Sequence, residues 1–361
     1  MSMTNVTSEQ LTAALADLQD PETGRNMVQQ GQIRDIASTA EGVRLTLALT
    51  SHSSPLRDET RREVEQAVRA KFPDVKKVEI LPAVHERPPM PLGELGLTAK
   101  SVIAVGSGKG GVGKSTIASG IAYGLLRAGC KVGLLDADIY GPSIPHLLGL
   151  RGKAELTDER KIRPHELEGL KVMSIGFMVE PDQPVILRGP MLHGAIQQML
   201  RDTAWGPLDY LIIDMPPGTG DIALSLSQML PLTGAVVVCT PQDVALLDAV
   251  KAVAMFRKVN IPVLGMVENM SYFLCPDNGK RYDIFGTGGA KRKAEQLNVP
   301  FLGEVPINIQ IRVNGDEGKI AGNFTNAETA PFFEGIVQAL AQQLRQTMRA
   351  TKPLPTLSIL N

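Results

Sequence analysis

The segment GKGGVGKST, Gly108 to Thr116, combines residue types that could bind the phosphates of a nucleotide. It follows the apolar run SVIAVGS, precedes the apolar run IASGIAYGLLRAG, and fits the pattern GxxxxGK followed by Ser or Thr. Backbone N–H groups of such a loop, and of the helix after it, donate to phosphate oxygens. The pattern predicts that Lys114 reaches the β- and γ-phosphates, that Ser115 binds Mg²⁺, and that Thr116 donates to the α-phosphate. The predicted nucleotide-binding residues here are Gly108, Lys109, Gly110, Gly111, Val112, Gly113, Lys114, Ser115 and Thr116.

Carboxylates follow two other apolar runs. Asp136 and Asp138 end KVGLLDAD, and Asp214 follows LDYLII. Ligands of open α/β sheets bind at the carboxyl ends of the parallel strands, so these side chains should face the same crevice as the loop. We expect Asp214 to hold Mg²⁺ with Ser115, Asp138 to orient the attacking water, and Asp136 to support the metal or its waters.

The segment PPGTGD after Asp214 is a candidate switch loop, because stiff prolines and permissive glycines favour a few discrete conformations. Asp221 is either the N-cap of the helix that follows or a part of that switch.

Base recognition is predicted at the same edge of the sheet. Asn269 ends the run PVLGMVEN, and Pro241, Gln242 and Asp243 follow the preceding apolar run. No Asn in the chain is followed by Lys, so the NKxD guanine signature is absent. The predicted cofactors are therefore ATP and Mg²⁺ rather than GTP.

The elements that must hold these residues are short strands that are apolar on both faces, each followed by a loop and a helical pattern. Such strands belong to a parallel sheet covered by helices on both sides. The sequence therefore predicts an α/β fold with a doubly wound, mostly parallel sheet, preceded by a small α+β domain whose pattern is helix, two strands, helix and strand. The predicted segments are 1–84 for the small domain, 85–98 for a Pro/Gly-rich linker, 99–349 for the P-loop domain and 350–361 for a tail.

Composition excludes several kinds of protein. The chain has 361 residues, with 37 Lys plus Arg against 38 Asp plus Glu, so its net charge of -1 gives no bulk positive field for nucleic acid or acidic lipid. No apolar run approaches the roughly 20 residues of a membrane span. Three cysteines cannot form a disulfide framework, and the N-terminus lacks the pattern of a secretory signal. We expect a cytoplasmic protein that binds neither nucleic acid nor membrane.

Together with GKGGVGKST, the motifs DADIYGPSIP, WGPLDYLIIDMPPGTGD, TPQDVAL and ENMSYFLCPDNGKRYDIFGTGGA resemble the Mrp/ApbC family of iron–sulfur carrier ATPases, a branch of the MinD/ParA superfamily. The N-terminal segments QDPETGRNMVQQGQIRDI and TSHSSPLRD resemble the small iron–sulfur assembly domain that often precedes such proteins. The resemblance implies a homodimer that hydrolyses ATP and delivers clusters to apoproteins. It also implies that Lys109, like Lys114 and Asp138, is catalytic and acts on the partner subunit's nucleotide.

The sequence departs from that family at its cluster motif. Cys275, Pro276, Asp277 and Asn278 stand where the family has CPxC, so two chains would supply two thiolates rather than the four that hold a [4Fe–4S] cluster. Cys275 is then either an iron–sulfur ligand or a plain loop thiol. The small domain departs in the same way, with Ser53 and Ser54 before Pro55, where relatives often carry a cysteine.

The other cysteines, Cys130 and Cys239, are expected to be buried apolar groups, and no histidine is proposed as a metal ligand.

Two alternatives stay open. The first is a MinD/ParA-like positioning or partition ATPase. It is disfavoured because the tail KPLPTLSILN is not a basic amphipathic helix, and because the short clusters at Lys280–Arg281 and Lys291–Lys293 suit a solvated face. The second is a cluster-free scaffold that uses nucleotide only to control association.

Overall fold

The computed structural model describes residues 7–39, 41–179, 189–218 and 220–350. They form two compact units, one from Met1–Arg87 and Ala341–Asn361, the other from Pro88–Leu340, each so far as it is described. The predicted tail lies outside the described residues beyond 350. Residues from Ala341 onward group with the first unit, although the predicted P-loop domain extends from 99 to 349.

The first unit has two helices on a three-stranded sheet of order β1-β2-β3, in which β1 and β2 are antiparallel and β2 and β3 parallel. Leu11, Leu45, Val64 and Val68 are fully buried between the layers. The first helix ends at Ala14, and the chain then turns to pair Gln19 with Asn26. The elements are α1 (Ser8–Ala14), β1 (Ile33–Thr39), β2 (Gly42–Leu49), α2 (Arg57–Lys71) and β3 (Lys77–Val84).

The second unit confirms the predicted α/β class. Its ten-stranded sheet has the order β12-β11-β10-β5-β9-β6-β8-β7, with β13 beside β11 and β4 beside β5. The pairings of β4, β7 and β12 are antiparallel and the others are parallel. The strands are β4 (Pro91–Leu92), β5 (Leu97–Gly106), β6 (Val132–Asp136), β7 (His165–Leu167), β8 (Leu170–Ser174), β9 (Leu208–Asp214), β10 (Gly234–Cys239), β11 (Val263–Leu274), β12 (Arg281–Tyr282) and β13 (Phe301–Ile307).

Helices cover this sheet, which explains why every residue of β6, β9 and β10 is buried. The helices are α3 (Lys114–Arg127), α4 (Ile144–Leu147), α5 (Gly189–Asp202), α6 (Gly220–Met229), α7 (Asp243–Lys258), α8 (Gly289–Leu297), α9 (Ile309–Asp316) and α10 (Ala330–Ala350). Among the described residues, no helix has the length and apolar character needed to cross a membrane.

Close packing of α3 depends on glycine. A Cβ atom at Gly120 would lie 2.4 Å from the Cδ1 atom of Phe333 on α10, and one at Gly124 would lie 2.8 Å from Cγ2 of Val337. These two glycines let the two helices approach each other more closely than larger residues would allow.

Strand β11 differs from its prediction. The pattern predicts an end at Asn269, but the strand continues to Leu274. Its pairing with β10 stops at Glu268, and beyond that point it pairs with β13 and β12. Met270 has a left-handed φ of 55°, and the register with β13 shifts between Asn269 and Phe273. The pairing with β10 stops there because β10 ends at Cys239, and the backbone of β11 is irregular at Met270, next to the candidate site.

Candidate functional site

The phosphate-binding loop lies between β5 and α3, as its pattern requires. Gly111 and Gly113 have left-handed φ values of 78° and 77°, which glycine adopts without strain. A Cβ atom at Gly108 would lie 2.1 Å from the carbonyl oxygen of Asp248. The loop borders a cavity of about 290 Å³. The cavity is lined by Ser107, Lys109, Gly110, Gly111, Gly113, Lys114, Ser115, Thr116, Asp138, Ser143, Leu147 and Pro217.

Lys114 forms a buried ion pair at the bottom of this site. Its Nζ atom lies 2.5 Å from Oδ1 of Asp214 and 3.3 Å from Oγ of Ser115. The Lys114 side chain is 6% exposed and that of Asp214 is 0% exposed. Burial raises the pKa of Asp214, and the charge and hydrogen bond of Lys114 oppose that shift.

The second oxygen of Asp214, Oδ2, is buried and has no hydrogen-bond partner among the described residues. A free carboxylate oxygen near a serine hydroxyl is a hard-oxygen donor set, which is the kind that Mg²⁺ prefers. The residues therefore fit the predicted metal.

Asp138 and Asp136 have different environments. Asp138 is half-buried and lines the cavity; burial raises its pKa, while Lys114 and the backbone N–H groups of Gly141 and Tyr140 act in the opposite direction. Asp136 is fully buried, and both of its oxygens accept hydrogen bonds from its own chain. Burial, and then the neighbouring Asp214 carboxylate, raise the pKa of Asp136 to about 8. Its predicted metal role stays a prediction.

The loop after β9 begins against the phosphate-binding loop. The N–H of Gly218 donates to the carbonyl oxygen of Ser107 at 3.0 Å, and Pro217 lines the cavity. Helix α6 begins at Gly220, so Asp221 lies inside the first turn and not at the N-cap. The switch role of this segment stays a prediction, and Thr219 lies outside the described residues.

Asn269 contacts the phosphate-binding loop itself. Its Nδ2 atom donates to the carbonyl oxygen of Val112 at 2.9 Å, and the side chain is buried. A Cβ atom at Gly113 would lie 2.1 Å from that nitrogen. Asn269 thus supports the loop that binds phosphate, a role that the sequence analysis missed, and its contact with a base stays a prediction.

Sequence reasoning also missed Ser143 and Leu147. Both line the cavity, Ser143 from the position directly before α4 and Leu147 from the end of that short helix. Both residues come shortly after the motif DADIYGP, but neither residue type nor spacing at these two positions indicates that they belong to the site.

Cys275 lies in the tight turn between β11 and β12, and it is partly exposed. The N–H of Cys275 donates to the carbonyl oxygen of Lys280 at 3.0 Å, and the N–H of Gly279 donates to that of Cys275 at 2.8 Å. Asn278 accepts from the N–H of Lys280 through Oδ1 at 2.9 Å. The residue that replaces the second cysteine therefore shapes the turn.

The other two cysteines are buried, as expected. Cys130 is 4% exposed and Cys239 is 1% exposed, and burial together with Glu268 raises the pKa of Cys239 to about 12. A thiol with such a pKa stays protonated at neutral pH. Ser53 and Ser54 of the first unit are also buried, and Ser54 Oγ accepts from Arg57 at 3.1 Å.

Comparison with known proteins gives consistent matches. A family model described as NUBPL iron-transfer P-loop NTPase matches residues 98–341, and one described as iron-sulfur cluster assembly protein matches residues 8–81. The chain is 46% identical over 317 residues to an iron-sulfur cluster carrier protein of Deinococcus radiodurans, covering 86% of this chain and 88% of that protein. It is 49% identical over 248 residues to the iron-sulfur cluster transfer protein NUBPL of Dictyostelium discoideum, covering 68% of this chain and 77% of that one.

A solved structure also matches. It is a nucleotide-binding protein from Archaeoglobus fulgidus in complex with ADP, 43% identical, with a TM-score of 0.55, covering 62% of this chain and 88% of the other.

Proposed function

Since the chain belongs to the family of NUBPL iron-transfer P-loop NTPases, we propose that it hydrolyses Mg-ATP as a homodimer and carries iron–sulfur clusters to apoproteins. The family membership confirms the resemblance inferred from the motifs, and with it an ATPase of the P-loop class. The observation that carries the proposal is a cavity at the phosphate-binding loop that is lined by Lys114, Ser115 and Asp138, with the buried Asp214 bonded to Lys114.

The chain's own residues supply most of the hydrolytic chemistry. Backbone N–H groups of the loop and the start of α3 bind phosphate oxygens, and the Lys114 ammonium offsets the charge of the transferring phosphoryl group. Asp138, in the wall of the same cavity, accepts a hydrogen bond from the attacking water and orients it. Ser115 and Asp214 would hold Mg²⁺, which when bound neutralises charge on the phosphate oxygens.

Asn269 supports ATP binding by fixing the loop. Because its amide holds the carbonyl of Val112, the N–H groups that follow Val112 keep their direction toward the phosphates. We propose that the base lies beside Asn269 and the loop that follows β10, which contains Pro241, Gln242 and Asp243.

The cargo is an iron–sulfur cluster held at Cys275 from each of two chains. Asn278 does not replace the missing thiolate, because an amide is a poor ligand for iron beside sulfide, and its oxygen is engaged with Lys280. Two thiolates leave iron sites open to a small thiol or to the cysteines of the receiving apoprotein. The depleted ligand set therefore favours a loosely held cluster that is readily transferred.

Anaerobic reconstitution with iron and sulfide tests this directly. Asn278→Cys should raise the iron and sulfide bound per dimer toward a full [4Fe–4S] cluster, with little change in ATPase rate, while the native protein binds a cluster weakly or only with added thiol. Gln338→Cys is the matched control, since it adds a thiol at an exposed position on α10.

A native protein that holds a stable cluster without thiol, as well as Asn278→Cys does, would place the ligands elsewhere. An Asn278→Cys protein that binds no iron would favour the alternative of a cluster-free, nucleotide-dependent scaffold.

A further inference from the structure

The buried carboxylate of Asp136 holds both ends of the loop that carries Asp138. Its Oδ1 atom accepts from the N–H of Asp138 at 3.1 Å, and its Oδ2 atom accepts from the N–H of Ile144 at 3.2 Å. These two bonds close the segment from Asp138 to Ile144, in which Asp138 and Ser143 both line the nucleotide cavity. The position of this loop therefore depends on the orientation of one carboxylate.

Ser174 fixes that orientation from the neighbouring strand. It ends β8 directly beside Asp136 in the parallel register, and its Oγ atom lies 3.2 Å from Asp136 Oδ2. The same Oγ accepts from the N–H of Gly176 at 3.1 Å. A hydroxyl has one hydrogen to donate, and with Gly176 on its acceptor side that hydrogen points to Asp136. Both side chains are 0% exposed, so water does not replace the bond if it is lost.

We propose that Ser174 is a positioning residue for ATP hydrolysis: through Asp136, it sets the place of the Asp138 carboxylate in the nucleotide cavity. The inference rests on the proposed function, in which Asp138 orients the attacking water. Ser174 lines no part of the cavity, so it does not touch nucleotide. Its loss should therefore change the rate of the chemical step and leave ATP binding in place.

The experiment compares three variants of the full chain with the native protein by steady-state hydrolysis and by Mg-ATP binding. Ser174→Ala should lower kcat about 10- to 100-fold, the cost of a small misplacement of a catalytic group, with KM and ATP affinity within about twofold of native. Ser174→Thr keeps the hydroxyl on a residue that suits a strand, and should restore most of the rate. Ser119→Ala is the matched control, because Ser119 is equally buried and its hydroxyl has no hydrogen-bond partner among the described residues.

A double-mutant cycle provides the readout that a merely structural role would not produce. In an Asp138→Asn background, Ser174→Ala should cause no further loss of kcat, since its effect passes through Asp138. If Ser174→Ala does not fold, Asp136→Asn takes its place in the cycle, because an amide keeps the shape but cannot accept at both of its ends.

Each result decides between the hypotheses. An unchanged kcat in Ser174→Ala, an equal loss in Ser119→Ala, or losses that multiply in the double variant would each overturn the positioning role while leaving the proposed function intact. Full turnover in Asp138→Asn would instead remove the water-orienting role of Asp138, and the inference about Ser174 with it.

Discussion

At the residue scale, Lys114 neutralises a buried carboxylate, and in the proposed function it also binds the phosphates. We expect Lys114→Ala to lower the rate of phosphate release by about 10² to 10³ or more, because charge on the transferring group is no longer offset. The variant should also be less stable by about 3–5 kcal/mol, since Asp214 is left buried without its partner. Lys251→Ala, at a side chain that is 79% exposed, is the control for both measurements. Native turnover in Lys114→Ala would refute the role assigned to the loop.

Glu268 should make stability depend on pH. It is fully buried, its Oε2 accepts from the N–H of Ala290 at 2.7 Å, and its Oε1 has no partner among the described residues. Burial raises the pKa of Glu268 above its ordinary value, and the charge of Glu304 adds to this shift. The hydrogen bond from the N–H of Ala290 and the charges of Arg292 and Arg281 lower the pKa. Cys239 lies opposite Glu268 in the pairing of β10 with β11, and its thiol stays neutral.

The direction of this pH dependence follows from the number of protons that the folded and unfolded states bind. Between the unfolded pKa and the higher folded pKa, the folded state binds more protons, so the free energy of unfolding falls as pH rises, by at most about 1.4 kcal/mol per pH unit. Glu268→Gln removes this slope, and its stability relative to native should therefore increase as pH rises above the unfolded pKa of about 4.3 in urea titrations. Glu155→Gln, at a side chain that is 77% exposed, should show no such trend. Parallel curves for native protein and Glu268→Gln would contradict the assignment.

At the scale of elements, replacing a glycine by alanine where α3 contacts α10 has two opposite effects on stability. Alanine is better than glycine in a helix by about 1 kcal/mol, but a Cβ atom at Gly120 would lie 2.4 Å from Phe333. Overpacking of a core costs about 1–3 kcal/mol, so Gly120→Ala should lower the free energy of unfolding. Gly335→Ala on α10 should raise it by about 0.5–1 kcal/mol, because among the described residues no atom outside the local backbone of that helix lies within 4 Å of the new Cβ. Adding Phe333→Leu to Gly120→Ala should recover part of the loss, and additive effects of the two changes would argue against the clash.

The elements also show what sequence reasoning can and cannot reach. The loop from Gly108 to Thr116 and the apolar strands were predictable, because glycine spacing and continuous burial are local properties of the chain. The support of Val112 by Asn269 joins residues 157 apart in sequence, and the bond between Ser174 and Asp136 depends on strand order. No local pattern encodes either contact.

The end of α10 shows the same limit. Arg345 is 4% exposed although charged residues on a helix usually mark the solvent side. Within the first unit it pairs with Glu59 at 3.2 Å and also with Glu63, both on α2. Because its burial depends on a long-range ion pair, the hydrophobic periodicity of the helix does not predict that Arg345 is buried.

At the scale of the whole molecule, variants of Lys109 can show whether two chains contribute to the same ATPase site. It lines the nucleotide cavity, and its ammonium forms no ion pair with the part of the chain that the structure describes. If Lys109 acts on the partner subunit's nucleotide, each site combines Asp138 of one chain with Lys109 of the other. In a dimer of one Lys109→Ala chain and one Asp138→Ala chain, one site then carries both changes and the other site carries neither. ATPase activity should then partly recover relative to either variant alone. No recovery, when tagged chains prove that mixed dimers form, would mean that the lysine acts within its own subunit.

The turn at Cys275 has a consequence for how cargo is exchanged. The amides of Cys275, Gly279 and Lys280 all have acceptors within the turn, so hydrogen–deuterium exchange there should be slow before any cluster is bound and should slow little further on loading. Asn278→Cys removes the acceptor of the Lys280 amide, and exchange at that amide should become faster. The conformational entropy of the turn is lost when the chain folds, not when iron arrives. If Cys275 holds a cluster as proposed, we expect handover to exchange ligands at a preformed turn of the carrier, with a rate set by the incoming thiolate rather than by rearrangement of that turn.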